Sequence, residues 1–456
     1  MERSIRSRLD HVLDLLVDAV CVVDIEGRFV FVSAAGERIF GYTPDEMLGR
    51  PMIELVHPDD RTRTLEAAAT IMAGTPSPHF ENRYLRKDGQ IVHIMWSARW
   101  SEADRLRIAV ARDITGRKRA EMLQAALLAI SEAAHTAADL LALFRRIHEI
   151  IGGLLPARNF FVALYDAETD MLSFPYFVDE HDAAPAPMRL DSGTLSAEVI
   201  RNGEALLLTP GADAALPDRV GPIVGRESLD WLGVPLIAQK GILGALVVQS
   251  YSGDTRYTDK DKQLLQFVST QVAAAVERKQ TETWLRHIAQ HDVLTALPNR
   301  QLFDDRLQTA LARAQREHER LALLYIDLDT FKQVNDTLGH GVGDRLLHEV
   351  ARRISGCVRE SDTVGRMSGD EFVVLLIGIQ QTPHALIVAE KIRSALQQPF
   401  VLDGHSMRVT ASIGVAVYPE HGGEGQRLVR EADHAMYVAK KQGGDRCLLA
   451  NPRVDG

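Results

Sequence analysis

Thr363-Val364-Gly365-Arg366-Met367-Ser368-Gly369-Asp370-Glu371-Phe372-Val373-Val374-Leu375-Leu376-Ile377 decides how the carboxy-terminal third of this chain is read. Two apolar runs flank Ser368-Gly369-Asp370-Glu371, which predicts a β-hairpin with acids at its tip. Upstream, Leu321-Ala322-Leu323-Leu324-Tyr325-Ile326 is a continuous apolar run and predicts a buried strand. It ends in Asp327-Leu328-Asp329. A carboxylate at the end of a buried strand is costly unless a cation neutralises it. If the hairpin lies beside that strand, Asp327, Asp370 and Glu371 converge. Hard oxygen donors in that number suit Mg²⁺ or Mn²⁺ with a nucleoside triphosphate. Two such ions can activate a hydroxyl and stabilise phosphate in an in-line displacement. Phe331-Lys332-Gln333-Val334-Asn335-Asp336 follows, and Gly339-His340-Gly341-Val342-Gly343-Asp344 opens a helix whose backbone N–H groups can face an anion. Taken alone, the four residues at the hairpin tip suit a solvated turn better.

The rest of the chain narrows the setting. Its 456 residues predict about three domains at ~150 residues each. The 52 Lys and Arg against 62 Asp and Glu give a net charge of −10, which argues against a nucleic-acid binder that relies on a broad basic field. Cys21, Cys357 and Cys447 are far apart and form no C-x-x-C pair, so neither a disulfide framework nor a zinc site is expected. The amino terminus lacks the apolar core of a signal peptide, and no stretch approaches ~18 uncharged apolar residues. A soluble, cytoplasmic protein without a membrane span is the expectation.

Two charged stretches, from about Thr115 to Ala134 and from about Asp259 to Gln290, read as long helices. In the second, Leu264, Phe267, Leu285 and Ile288 share one heptad-like seam, and Leu265, Val268, Val272 and Ala275 a neighbouring one. Periodicity leaves two readings: surface helices capping neighbouring domains, or parallel dimer stalks that pass a signal. Ahead of the first helix, Val20–Asp24 and Arg28–Val32 flank Glu26-Gly27, a hairpin signal. Val92, Ile94, Trp96, Ala98 and Trp100 alternate onto one apolar strand face. Between the helices, 159–165, 233–237 and 244–248 read as strands.

Three resemblances follow from these motifs. Residues 285–456 resemble a GGDEF domain, the catalytic domain of diguanylate cyclases. The matches run from Asp292 and Asn299-Arg300 through Asp327-Leu328-Asp329-Thr330-Phe331-Lys332 and Arg366-Met367-Ser368-Gly369-Asp370-Glu371-Phe372 to Ser412-Ile413-Gly414 and Ala439-Lys440. Phe40-Gly41-Tyr42, His57-Pro58-Asp59-Asp60, Arg86-Lys87-Asp88-Gly89 and the exit Arg112-Asp113-Ile114-Thr115-Gly116 make residues 8–118 resemble a PAS sensor domain. Strand spacing makes 121–280 similar to a GAF sensor domain. The implied fold class is an α/β and α+β multidomain protein. It has antiparallel-sheet PAS and GAF domains and a palm-like GGDEF domain of nucleotide-cyclase type, joined by helical stalks.

The GGDEF resemblance implies condensation of two GTP into cyclic di-GMP and two pyrophosphates by a homodimer, with Mg²⁺ or Mn²⁺. Carried over by position, Asp327, Asp370 and the Leu328 carbonyl ligate metal. Asp370 activates the 3′-hydroxyl, and Glu371 shares the task. Ser368 and Gly369 form the turn beneath the nucleotide. Asn335 and Asp344 meet the guanine edge with His340 near, and an acid at 344 favours GTP over ATP. Phe331, Lys332 and Lys440 hold phosphates. Arg359 and Asp362 match the family's product-inhibition pair, with Lys391 or Arg393 as a further basic residue. Gly443-Gly444-Asp445 stands where the family often has Gly-Arg-Asn, with Arg446 as a substitute for the missing arginine. That departure keeps open a silent domain acting as a cyclic di-GMP or GTP receptor. Cys21 lies in the first strand, so no flavin adduct is expected in the PAS domain. The helix 61–73 holds no His for a haem, and its ligand and that of the GAF domain stay open. The chain ends at Gly456, soon after these motifs, so no cyclic di-GMP phosphodiesterase domain is expected.

Overall fold

A computed structural model describes residues 13–451 except 14, 76, 211–225, 227, 254–255 and 403–404. The expected start of the first domain at residue 8, and residues 452–456 of the third, lie outside the described residues. The chain divides into two units, with the division between Arg278 and Lys279.

In the second unit the strand Arg320–Leu328 is the middle of a five-stranded sheet. Glu371–Ile379 and then Thr363–Ser368 lie on one side, Ala411–Tyr418 and then Cys447–Leu449 on the other. All pairings are antiparallel except that of Ala411–Tyr418 with Cys447–Leu449. A strand covered on both faces needs apolar residues at every position, which is why 321–326 reads as an unbroken run. Ala322, Leu324, Ile326 and Leu328 join one core with the helices His340–Ser355 and Thr382–Gln397. Leu321, Leu323 and Tyr325 join another with Arg300–Glu317 and Gly425–Lys441. By the period of two, Asp327 belongs to the second face.

The first unit holds two sheets. Phe29–Val32, Ala19–Val23, Leu106–Asp113, Ile91–Ser101 and Ser77–Leu85 form an antiparallel five-stranded sheet in that order. Val92, Ile94, Trp96 and Ala98 point to its core as their alternation predicts. His57 caps the short helix Pro58–Asp60, its ring accepting from the Asp59 N–H at 3.4 Å. The second sheet has six strands, ordered Met188–Arg189, Met171–Val178, Asn159–Asp166, Gly241–Ser250, Asp230–Ala238 and Leu206–Leu208. Thr115–Thr136, Leu140–Gly152 and the start of Asp259–Gln290 cover one face of it. The helix Leu195–Asn202 packs on the other.

The two seams of Asp259–Gln290 have different fates. Leu265, Val268, Val272 and Ala275 are buried against the six-stranded sheet, whereas Phe267 and Leu285 are 55% and 51% exposed. One seam is therefore core, and Phe267 and Leu285 of the other face solvent.

Candidate active site

The sheet brings the expected acids to one edge. Asp327 lies opposite Glu371 in the antiparallel register, and Ser368 lies opposite Glu371 across the hairpin. Gly369, at φ +51°, makes the turn, a conformation glycine adopts without a Cβ penalty. Ser368 Oγ donates to Glu371 Oε2 at 2.9 Å, and the Tyr325 hydroxyl donates to the same oxygen at 3.2 Å. Burial, and then the charge of Glu371, hold the Tyr325 phenol above its ordinary value, so it stays a donor.

Asp327 is 8% exposed. The cation that its burial demands is Lys440, whose ammonium binds Asp327 Oδ1 from the last turn of Gly425–Lys441, 113 residues away in sequence. Burial raises the Asp327 carboxyl above the usual range. Lys440 opposes this, while Asp370 and Glu371 add to it. Lys440 is itself held above its ordinary value, because Asp327, Asp370 and Asp329 outweigh the effect of its burial. Lys440, the residue expected on phosphate, here pairs with the Asp327 carboxylate.

Phe331, also expected on phosphate, turns its side chain to the core. Its ring is 9% exposed and packs in the core beneath the sheet. What it offers outward is the backbone N–H of the first turn of Phe331–Leu338. Lys332, His340 and Asp344 are exposed. Asn335 lies where its Oδ1 is buried without a hydrogen-bond partner. A Cβ on Gly343 would fall 1.9 Å from that oxygen, so glycine keeps the space in front of it.

Among the described residues, no three His, Cys, Asp or Glu side chains stand as a ready-made metal cage. The donors expected from the sequence are all oxygens: the Asp327 and Asp370 carboxylates and the Leu328 carbonyl. That set fits a small hard cation that keeps waters and takes further oxygens from a bound triphosphate.

Three features with larger parts than their spacing disclosed lie around the site. Asp329 Oδ1 accepts from Ser412 Oγ at 2.6 Å, and Oδ2 accepts from Thr410 Oγ1 at 2.6 Å and from the Asp445 N–H at 2.9 Å. Gly444 has φ +74°, and a Cβ there would sit 2.9 Å from this carboxylate. A side chain in place of this glycine, where the family often has arginine, would therefore be strained and crowded. Arg446, offered as its substitute, donates to the Gly444 carbonyl at 3.1 Å and to Gln442 at 3.3 Å. Asp292 and Arg366 form the third feature. Arg366 Nη1 donates to Asp292 Oδ1 at 2.7 Å, and its Nε and Nη2 donate to the Gly369 carbonyl at 3.0 and 2.7 Å.

The Arg359–Asp362 pair is not a side-chain ion pair. Asp362 accepts from the backbone N–H groups of Arg359 at 3.0 Å and Ile377 at 3.2 Å, while Arg359 is exposed. Lys391 donates to the Cys357 carbonyl at 2.9 Å, and Arg393 is held by Glu390 and Asp445.

A family model described as the diguanylate cyclase GGDEF domain matches residues 289–446. Models of the PAS fold and of the GAF domain match residues 7–126 and 137–277. The chain thus carries, in this order, domains that match the PAS, GAF and GGDEF models. The diguanylate cyclase TpbB of Pseudomonas aeruginosa is 47% identical over 174 residues, which are 37% of this chain and 40% of that protein. The bifunctional diguanylate cyclase/cyclic di-GMP phosphodiesterase MucR of the same organism is 50% identical over 159 residues, 35% of this chain and 23% of that protein. A solved structure of the isolated GGDEF domain of TpbB is 46% identical and covers 35% of this chain and 94% of its own, with a TM-score of 0.35. The chain thus spans about two fifths of the length of TpbB and under a quarter of that of MucR.

Proposed function

We propose that this chain is a diguanylate cyclase that condenses two GTP into cyclic di-GMP and two pyrophosphates. The observation that carries the reading is the register that sets the buried Asp327 opposite Glu371, with Asp370 in the hairpin turn just before Glu371. In this reading Asp327, Asp370 and the Leu328 carbonyl hold Mg²⁺ or Mn²⁺. Such an ion lowers the pKa of a bound hydroxyl and offsets the charge that develops on phosphate. Asp370 and Glu371 face the 3′-hydroxyl, and Glu371 is kept in place by Ser368 and Tyr325. Asn335, with its unpartnered oxygen, accepts from guanine, and Asp344 accepts from the paired guanine N–H donors. Adenine presents no such pair, which supports GTP as substrate. The Phe331 N–H and Lys332 meet phosphate, with His340 beside the base and Ser368-Gly369 beneath it. Lys440 exchanges part of its hold on Asp327 for phosphate as the nucleotide enters.

Each domain binds one GTP, so two copies must face each other. A homodimer working in the cytoplasm, set by the PAS and GAF domains, provides that. The exposed Phe267 and Leu285 suit the dimer seam. Product inhibition would act through Arg359, which is exposed, and Asp362, which shapes the loop.

The test incubates purified chain, stripped of cyclic di-GMP, with GTP and Mg²⁺ or Mn²⁺, and resolves the products by chromatography. Cyclic di-GMP from the parent and none from Asp370→Ala/Glu371→Ala is the expected result. A parent that makes none, yet binds cyclic di-GMP and loses it on Arg359→Ala, is a receptor instead. The exposed Arg359 and the engaged Arg446 are the observations on that side.

A further inference from the structure

Between the PAS sheet and the helix Arg61–Met72 lies a half-open cavity of about 40 Å³ whose wall carries an arginine. Leu106–Asp113 alternates, and Arg107 takes an inward position in line with Ala109 and Ala111. It is 6% exposed. Among the described residues its guanidinium has one hydrogen-bond acceptor, the Met52 thioether at 2.7 Å, and no carboxylate pairs with it. A thioether is a weak acceptor, and a guanidinium carries five donors. Buried charges are ordinarily paired.

The groups around it do not supply the missing charge. Cys21 is buried, and its thiol is pushed up to about 12. Burial likewise raises the Tyr84 phenol, so both are neutral near pH 7. The neutral polar groups are already spent on one another. Trp96 Nε1 donates to Asn82 Oδ1 at 2.8 Å, Asn82 Nδ2 to Thr64 Oγ1 at 3.0 Å, and Thr64 Oγ1 to the Asp60 carbonyl at 2.7 Å. The remaining wall is apolar, from Val23, Phe29, Ala68, Ile71, Ala98 and Ala109.

We propose that this cavity is a binding site for a short-chain aliphatic carboxylate, its anionic head on Arg107 and its tail among the alanines. One cation matches one negative charge. The apolar wall matches a hydrocarbon body rather than an inorganic ion. A buried water needs ~10–15 Å³ on this measure, and benzene fills an engineered cavity of ~150 Å³. At about 40 Å³ the space takes a few heavy atoms and excludes a flavin or a haem.

Calorimetric titration of the full chain in chloride buffer tests this with acetate, propionate and butyrate, and with propionamide as the neutral match. Mass spectrometry of an acid extract reads any acid already bound. Binding of acetate or propionate, or its recovery from the purified protein, with at least tenfold preference of propionate over propionamide, is the expected result. Arg107→Met should weaken binding at least tenfold and raise the melting temperature without ligand. Ala98→Leu keeps the cation and fills the tail space, so it should exclude propionate before acetate. That variant and the amide comparison decide the matter even if Arg107→Met fails to fold. The proposal falls if no carboxylate binds or is recovered, if propionamide binds equally well, or if chloride or sulfate displaces propionate at equal concentration. It also falls if a folded Arg107→Met keeps the wild-type affinity.

Discussion

Asp327 and Arg107 are both charged groups on the inward face of a sheet, 8% and 6% exposed, and the protein treats them in opposite ways. Asp327 at the edge of the GGDEF sheet receives Lys440 from another element of the same unit. Arg107 in the PAS sheet receives a thioether and no acid. Removing one partner from a buried pair leaves an uncompensated charge, whereas replacing an unpaired charge by an apolar group of similar shape removes a penalty. The first charge is completed by the fold. The second is left for something outside the chain.

The largest way to break this contrast is Lys440→Met. Lys440 is 41% exposed, so the ~3–5 kcal/mol of a fully buried pair must be discounted, to about 2 kcal/mol. Hydrogen exchange along Arg320–Leu328 under urea should show that loss, and cyclic di-GMP formation should fall at least about a hundredfold. A variant of unchanged stability would remove Lys440 as the neutralising cation.

Gly444→Arg comes next and sharpens the contrast at Asp329, an acid satisfied by two hydroxyls and an amide instead of a cation. Sequence reasoning alone makes this substitution a repair, since it restores a family arginine. The φ of +74° and the 2.9 Å approach to the Asp329 carboxylate predict a loss of about 1–2 kcal/mol and lower turnover. Thermal unfolding with a parallel GTP assay checks both.

Asp60 is a third buried charge, paired within its own domain. Arg83 donates to both of its oxygens, and Arg63 adds a contact at 3.0 Å. The Arg83 hydrogen bonds hold its carboxyl well below the usual range against the effect of burial. A folded value below the unfolded one contributes stability that is complete above the unfolded pKa of ~3.9. It is lost as pH falls through the folded value. Asp60→Asn should therefore lower PAS stability by about 1–2 kcal/mol at pH 7 and flatten its dependence below about pH 4, read by tryptophan fluorescence. The smallest effect has the opposite sign: Arg107→Met without ligand should stabilise the PAS domain by about 1 kcal/mol.

What the sequence disclosed and what it withheld divide along physical lines. Local repeats were legible: the apolar run 321–326, the alternation from Val92 to Ala98, and the long helix ending at Gln290. The demand for a cation near Asp327 was also legible, because burial of a carboxylate is a local fact. That Lys440 answers it was not, since the two meet only after the helix Gly425–Lys441 packs on the sheet. Arg107 was passed over because an arginine between Leu106 and Ile108 looks like any outward position of a strand. Gly444 read as a departure from a family pattern, because the carboxylate that excludes a side chain there lies on a distant strand.

Arg366 has a consequence of a mechanical kind. A guanidinium is planar and stiff, with no soft torsion between its nitrogens. One nitrogen grips Asp292, two residues beyond the end of the long helix, and two others grip the carbonyl of Gly369, the residue before Asp370. A displacement at Asp292 must then either drag the turn with it or break a hydrogen bond. The end of the rod and the acid beside it share a single coordinate, like two points on one rigid lever.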